Sequence, residues 1–112
     1  MPGCIECNEC TNYGEETACL SPYGLEFSNI TTGSVTLNWT GSANVTSYNI
    51  EFKLITAGTW NLLTPVIAPT TSATIIGLTP DTVYEFRINA VCTETTCYSL
   101  TVKERTLPLE AL

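Results

Sequence analysis

The sequence predicts an all-β sandwich of seven short strands. Three observations carry this expectation. Apolar residues recur at every second position through most of the chain, turn signals interrupt them about every 8–12 residues, and no stretch keeps a convincing helical period. Composition agrees. Charged residues make up only 13% of the chain, about half the usual share, and Thr and Ser supply the polarity instead. Threonine suits strands because its branched Cβ packs well on a pleated surface. The chain has 112 residues, enough for one domain with one apolar core.

The elements follow in order. Residues 1–19 hold four of the six cysteines, with Glu6, Glu9, Glu15 and Glu16 and no basic residue. They carry few apolar side chains beyond Ile5 and Tyr13, so they form a polar, acidic N-terminal segment that cannot build a core. The sandwich occupies residues 20–106, and residues 107–112 are a tail. Leu25 and Phe27 alternate with Glu26 and Ser28 as a first strand; Ile30 breaks the parity, which predicts a bend or bulge there. After the turn at Thr32-Gly33-Ser34, Val35, Leu37 and Trp39 line a second strand. Tyr48, Ile50, Phe52 and Leu54 line a third. Ala57-Gly58 turns into a short strand around Trp60 and Leu62, and Pro65 and Pro69 mark an edge or loop because proline cannot donate to a ladder. Ala73 and Ile75 belong to a further strand ended by Gly77. Tyr84, Phe86, Ile88, Ala90 and Cys92 alternate strictly with Glu85, Arg87 and Asn89, the cleanest strand signal present. Tyr98, Leu100 and Val102 are expected to make one last strand, with Lys103, Glu104 and Arg105 near its end.

Three stretches together resemble a fibronectin type III domain, an immunoglobulin-like sandwich. They are Ser34-Val35-Thr36-Leu37-Asn38-Trp39, Tyr48-Asn49-Ile50-Glu51-Phe52, and the run from Leu78-Thr79-Pro80-Asp81-Thr82 through Tyr84, Phe86, Ile88 and Ala90. The family pattern is a second-strand Trp, a third-strand Tyr and a Leu-x-Pro-x-Thr-x-Tyr-x-Phe-x-Ile-x-Ala run, and all fall here in order. The resemblance implies structural roles. Trp39 would be the central core residue, with Tyr48 and Phe86 beside it. Tyr84 would be the corner tyrosine, its ring in the core and its hydroxyl bonded to nearby backbone. The resemblance also implies a non-catalytic module: a spacer between neighbouring domains of a longer secreted or cell-surface chain, or an adhesion unit binding a protein or glycan through its pole loops or the Trp60 region. An Arg-Gly-Asp triplet is absent from the loop Thr93-Glu94-Thr95-Thr96, so integrin recognition of that kind has no support.

Most domains of this family have no cysteine, so the six here set this copy apart. The even count and the absence of histidine favour disulfides, and hence an oxidising, extracellular compartment. In this fold Cys19, Cys92 and Cys97 fall at one pole. Cys92–Cys97 is the expected bridge, with Cys19–Cys92 or Cys19–Cys97 as alternatives that would tie down the N-terminal segment. Cys4, Cys7 and Cys10 complete the set. The Cys4-x-x-Cys7-x-x-Cys10 spacing also permits a zinc site with Cys19 as fourth ligand, or the start of an iron–sulfur run; the long gap to Cys19 fits neither pattern well.

The chemistry excludes more than it proposes. Without histidine there is no Ser-His, Cys-His or His-metal arrangement, and no Gly-rich phosphate loop is present. Asp81 is the only aspartate, so a calcium loop is not expected. No enzyme activity and no cofactor are expected. A net charge of −7 repels phosphate, so nucleic acid and anionic membrane are poor partners, and no segment is apolar enough to span a bilayer. Met1-Pro2-Gly3 does not open a signal peptide, so the chain is expected to be a mature or excised piece, and a monomer. Asn29, Asn38 and Asn44 begin Asn-x-Thr triplets that are glycan acceptors only in a glycosylating source.

Overall fold

A computed structural model describes residues 19–41, 44–92 and 95–109. Two antiparallel sheets face one another. The smaller consists of β1 (Tyr23–Ser28), β2 (Val35–Thr40) and β6 (Ser72–Ile75), with β2 in the centre. The larger is built on β3 (Ser47–Leu54) and β7 (Val83–Val91), paired along eight positions from Ser47↔Val91 to Leu54↔Tyr84. Short strands extend it on both sides. β4 (Asn61–Leu62) and β5 (Val66–Ile67) pair with β3, and β8 (Thr96–Tyr98) and β9 (Val102–Arg105) pair with β7.

The alternation read from the sequence fills the space between the sheets. Val35, Leu37 and Trp39 face Tyr48 and Ile50, and Tyr84, Phe86, Ile88 and Ala90 complete the core from β7. Trp39 and Tyr48 meet edge-on with ring centroids 5.3 Å apart, and Phe27 meets Phe86 at 5.2 Å. The Thr79 amide donates to the Tyr84 hydroxyl at 2.9 Å, which satisfies a polar tip carried on a buried ring.

Two local features refine the expectations. The first strand does break near Ile30, as a bend at Asn29, and its bulge lies earlier, at Gly24–Leu25: two residues of β1 stand between Tyr23↔Thr40 and Glu26↔Asn38 against one of β2. Gly24 has φ 65°, a conformation that glycine adopts without the steric cost of a Cβ. At the end of β1 it is Asn29, with φ 47°, that turns the chain. The last strand is also interrupted. Between Asn89↔Tyr98 and Phe86↔Val102 it spends three residues against two on β7. One extra residue flips the parity. Cys97 is therefore buried, Tyr98 faces out, Leu100 is 84% exposed on the bulge, and Val102 returns to the core. Ser99 holds the break. Its amide donates to Ile88 O, its Oγ accepts from Ile88 N–H, and its hydroxyl donates to Leu100 O.

The two ends of the sandwich are tied differently. Where β7 ends, Cys19 is bonded to Cys92. Where β7 begins, Thr106 is nearly fully buried and gathers the exit strand: its amide donates to Thr82 O, and its hydroxyl to Thr79 O at 2.6 Å. Leu107 then exchanges backbone bonds with Thr31 and Asp81.

Candidate recognition face

The outward face of the larger sheet holds the densest polar arrangement among the described residues. Directly opposed residues share a face, so the pairings define its rows. Lys53 stands beside Glu85, and Glu85 beside Lys103; Glu51 stands beside Arg87; Val83 stands beside Arg105. All four basic residues of the chain, Lys53, Arg87, Lys103 and Arg105, are thus on this one face.

Arg87 is its centre. The guanidinium carbon lies 4.2 Å from the Trp60 ring centroid and 4.2 Å from that of Tyr98. The two rings come from opposite flanks of β7, Trp60 from the loop leading to β4 and Tyr98 from β8. Arg87 Nε donates to Glu51 Oε1 at 2.6 Å, and the Tyr98 hydroxyl donates to Glu51 Oε2 at 3.1 Å. Glu51 is buried under this stack and both its oxygens are engaged, as a buried carboxylate requires. One row away, Lys53 lies 5.2 Å from the Trp60 centroid, pairs with Glu85 at 2.8 Å and donates to Ala57 O.

The local fields follow from these contacts. The hydrogen bond from Lys53 holds the Glu85 carboxyl below its ordinary range, aided by the charges of Lys53 and Lys103 and opposed by desolvation. Burial pushes the Tyr98 phenol above its ordinary value, and the hydrogen bond to Glu51 and its charge add to that, against the opposing charge of Arg87. Leu62, 68% exposed, stands beside Glu51 on the same face.

The cysteines are arranged otherwise than expected. The bond is Cys19–Cys92, with Cα atoms 5.9 Å apart, and the expected Cys92–Cys97 bridge is not formed. Cys97, opposite Ala90 on β8, and Cys92 both lie against the core, and each is committed to a different bond. Cys97 is itself disulfide-bonded, and its sulfur lies 3.1 Å from Cys19 O. A four-cysteine zinc set is incompatible with this arrangement, since the Cys19 sulfur is consumed. Cys4, Cys7 and Cys10 lie outside the described residues. Of the acceptor triplets, Asn29 and Asn44 are exposed, whereas the Asn38 amide donates to Ser28 Oγ on β1.

Sequence reasoning set Arg87 in alternation with the core positions of its strand and named the Trp60 region as a candidate binding surface, but did not join either to Glu51. The signal that could have joined them is the pairing of the third strand with the long seventh. Tyr98 was hidden by the parity flip.

With the two sheets, the corner tyrosine and the core in place, comparison with known proteins gives one clear outcome. The family model for the fibronectin type III domain matches residues 20–105. The chain belongs to the fibronectin type III family. Among solved structures, chicken CNTN1 FN1-FN3 domains are 30% identical to it, with a TM-score of 0.69, over 78% of this chain and 32% of that one. Domains from titin are 28% identical, with the same TM-score, over 78% of this chain and 32% of that one. The FN3 domain of human collagen XX shares the fold at 22% identity and a TM-score of 0.70, over 77% of this chain and 90% of that one. This fibronectin type III domain therefore spans about a third of the length of the first two matches, where the fold is one module among several. No curated protein sequence matches it. The family is generally one of non-catalytic modules.

Proposed function

We propose that this fibronectin type III domain is a non-catalytic spacer module of a larger secreted or cell-surface protein. One observation carries the reading: the chain enters the sandwich at one end of β7 and leaves it at the other, and both points are fastened. The near end is held by Cys19–Cys92, the far end by the Thr106 and Leu107 hydrogen bonds. β7 spans nine residues, so the two points stand about 30 Å apart. A module held in this way sets a fixed separation between its neighbours instead of a flexible one. The disulfide supports an oxidising compartment. The test is replacement of residues 20–106 in the parent protein by a flexible linker of equal reach. Interdomain distance distributions should broaden while the ligand binding of the parent stays unchanged. Loss of a binding activity on replacement would refute the spacer reading.

A further inference from the structure

The Arg87 stack has a feature that neither folding nor spacing requires. A guanidinium carries five N–H donors in a planar fork. Here Nε is spent on Glu51 and both ring contacts hold the plane, yet among the described residues nothing accepts a hydrogen bond from either Nη group. The side chain keeps 27% of its surface open to solvent. Fixing a long cationic side chain normally costs much of its rotamer freedom at the moment of binding. In this domain Trp60, Tyr98 and Glu51 have already fixed it.

We propose that this face is a docking site for an acidic protein segment, with Arg87 Nη1 and Nη2 receiving an Asp or Glu carboxylate and Leu62 receiving an adjacent apolar side chain. A planar fork matches a carboxylate through two parallel hydrogen bonds, a fit that lysine cannot make. Charge complementarity points to the same occupant. All four cations of the chain are on this face; Glu51, Glu85 and Asp81 are paired with Arg87, Lys53 and Arg105, which leaves Lys103 as the one cation without an ion pair among the described residues. Lys103, opposite Glu85 on β9, extends the positive charge beside Arg87. Trp, Tyr and Arg are also the residues most enriched at the energetic centres of protein interfaces. The net charge of −7 disfavours an extended polyanion and leaves a short acidic segment as the occupant.

The experiment is an NMR titration of the intact domain with two capped dipeptides, acetyl-Leu-Glu-amide and acetyl-Leu-Gln-amide, and with inorganic phosphate as a control. The Glu peptide should give saturable shifts of the Arg87 Nε–H and Trp60 indole N–H, with a Kd of about 1 mM that weakens as salt is added. The Gln peptide and phosphate should shift them far less. Arg87→Lys keeps the charge and loses the fork, and should bind roughly tenfold more weakly, the scale of one charge-assisted hydrogen bond. Leu62→Ser, at an exposed position that the fold does not use, should weaken binding too, so the proposal stays testable if Arg87→Lys fails to fold. Equal shifts with the Glu and Gln peptides, equal shifts with phosphate, or no saturable shift at all would each overturn it.

Discussion

The bulge in the last strand can be tested by one atom. Ser99→Ala removes the Oγ that accepts the Ile88 amide, and no apolar contact is lost with it. The Ser99 amide still donates to Ile88 O, so the strand should stay in place. Ile88 is fully buried in the centre of the larger sheet, and its N–H has no route to water once the hydroxyl is gone. The cost is therefore that of stranding a buried donor, about 2–3 kcal/mol, at the upper end for a neutral group. The lost donation to Leu100 O adds little, because Leu100 is exposed and its carbonyl can turn to solvent. A domain of this size has only about 5–15 kcal/mol to lose. In urea the midpoint should fall by about 1–2 M with an unchanged m value. Exchange of the Ile88 amide should accelerate by more than that of its neighbours. A loss under about 0.5 kcal/mol, or unaltered protection at Ile88, would show that the amide finds another partner and that Ser99 does not hold the bulge.

Other outcomes follow from the same contacts. Leu100→Ser should stay within about 0.5 kcal/mol of the parent in urea unfolding, because the side chain is exposed, whereas Leu37→Ala should cost about 2–5 kcal/mol. Tyr84→Phe leaves the Thr79 amide without its acceptor and should cost about 1–2 kcal/mol by the same assay. The raised Tyr98 phenol gives stability that is complete below its unfolded pKa, near 10, and is lost as pH rises through the folded value; Tyr98→Phe should remove this alkaline loss. The lowered Glu85 carboxyl works in the opposite direction. Its contribution is present above the unfolded value near 4.5 and fades as pH falls through the folded one, so Glu85→Gln should flatten the acid side of a urea-midpoint profile. Non-reducing peptide mapping should return Cys19 joined to Cys92, with the β-type circular dichroism unaffected by EDTA; a Cys92–Cys97 peptide would refute the pairing described.

The core of this fold is legible from the sequence because a buried face leaves a period of two, and Tyr84 to Ala90 keep it without fault. The bulges are not legible in this way. An inserted residue changes which side the following residues face without changing their type, so Tyr98-x-Leu100-x-Val102 looks like one continuous face although the chain flips within it. Glycine at position 24 carries a weak local sign of the first bulge; Ser99 carries none, since a serine that accepts a backbone amide is indistinguishable in sequence from one in water. The Arg87 stack depends on residues 51, 60, 87 and 98, which only strand pairing brings together. The disulfide depends on the same kind of knowledge: closeness in sequence favoured Cys92–Cys97, whereas the bond joins Cys92 to a partner 73 residues away that only the fold sets beside the end of β7.

That long bridge changes how the domain would carry a load. Tension entering at Cys19 passes straight through the sulfur atoms to the end of β7, bypassing β1 and β2. Tension leaving by residue 107 draws on β9, whose partner is the opposite end of the same β7, from Val83↔Arg105 to Phe86↔Val102. The two strands are then pulled past one another along their length, so these backbone bonds resist together in shear and not one at a time. Once the β7–β9 bonds give way, the loop closed by the bond carries no load, hiding roughly 250 Å of extensible chain until the sulfurs are reduced. Under oxidising conditions this domain would thus yield a short extension, and under reducing conditions a long one.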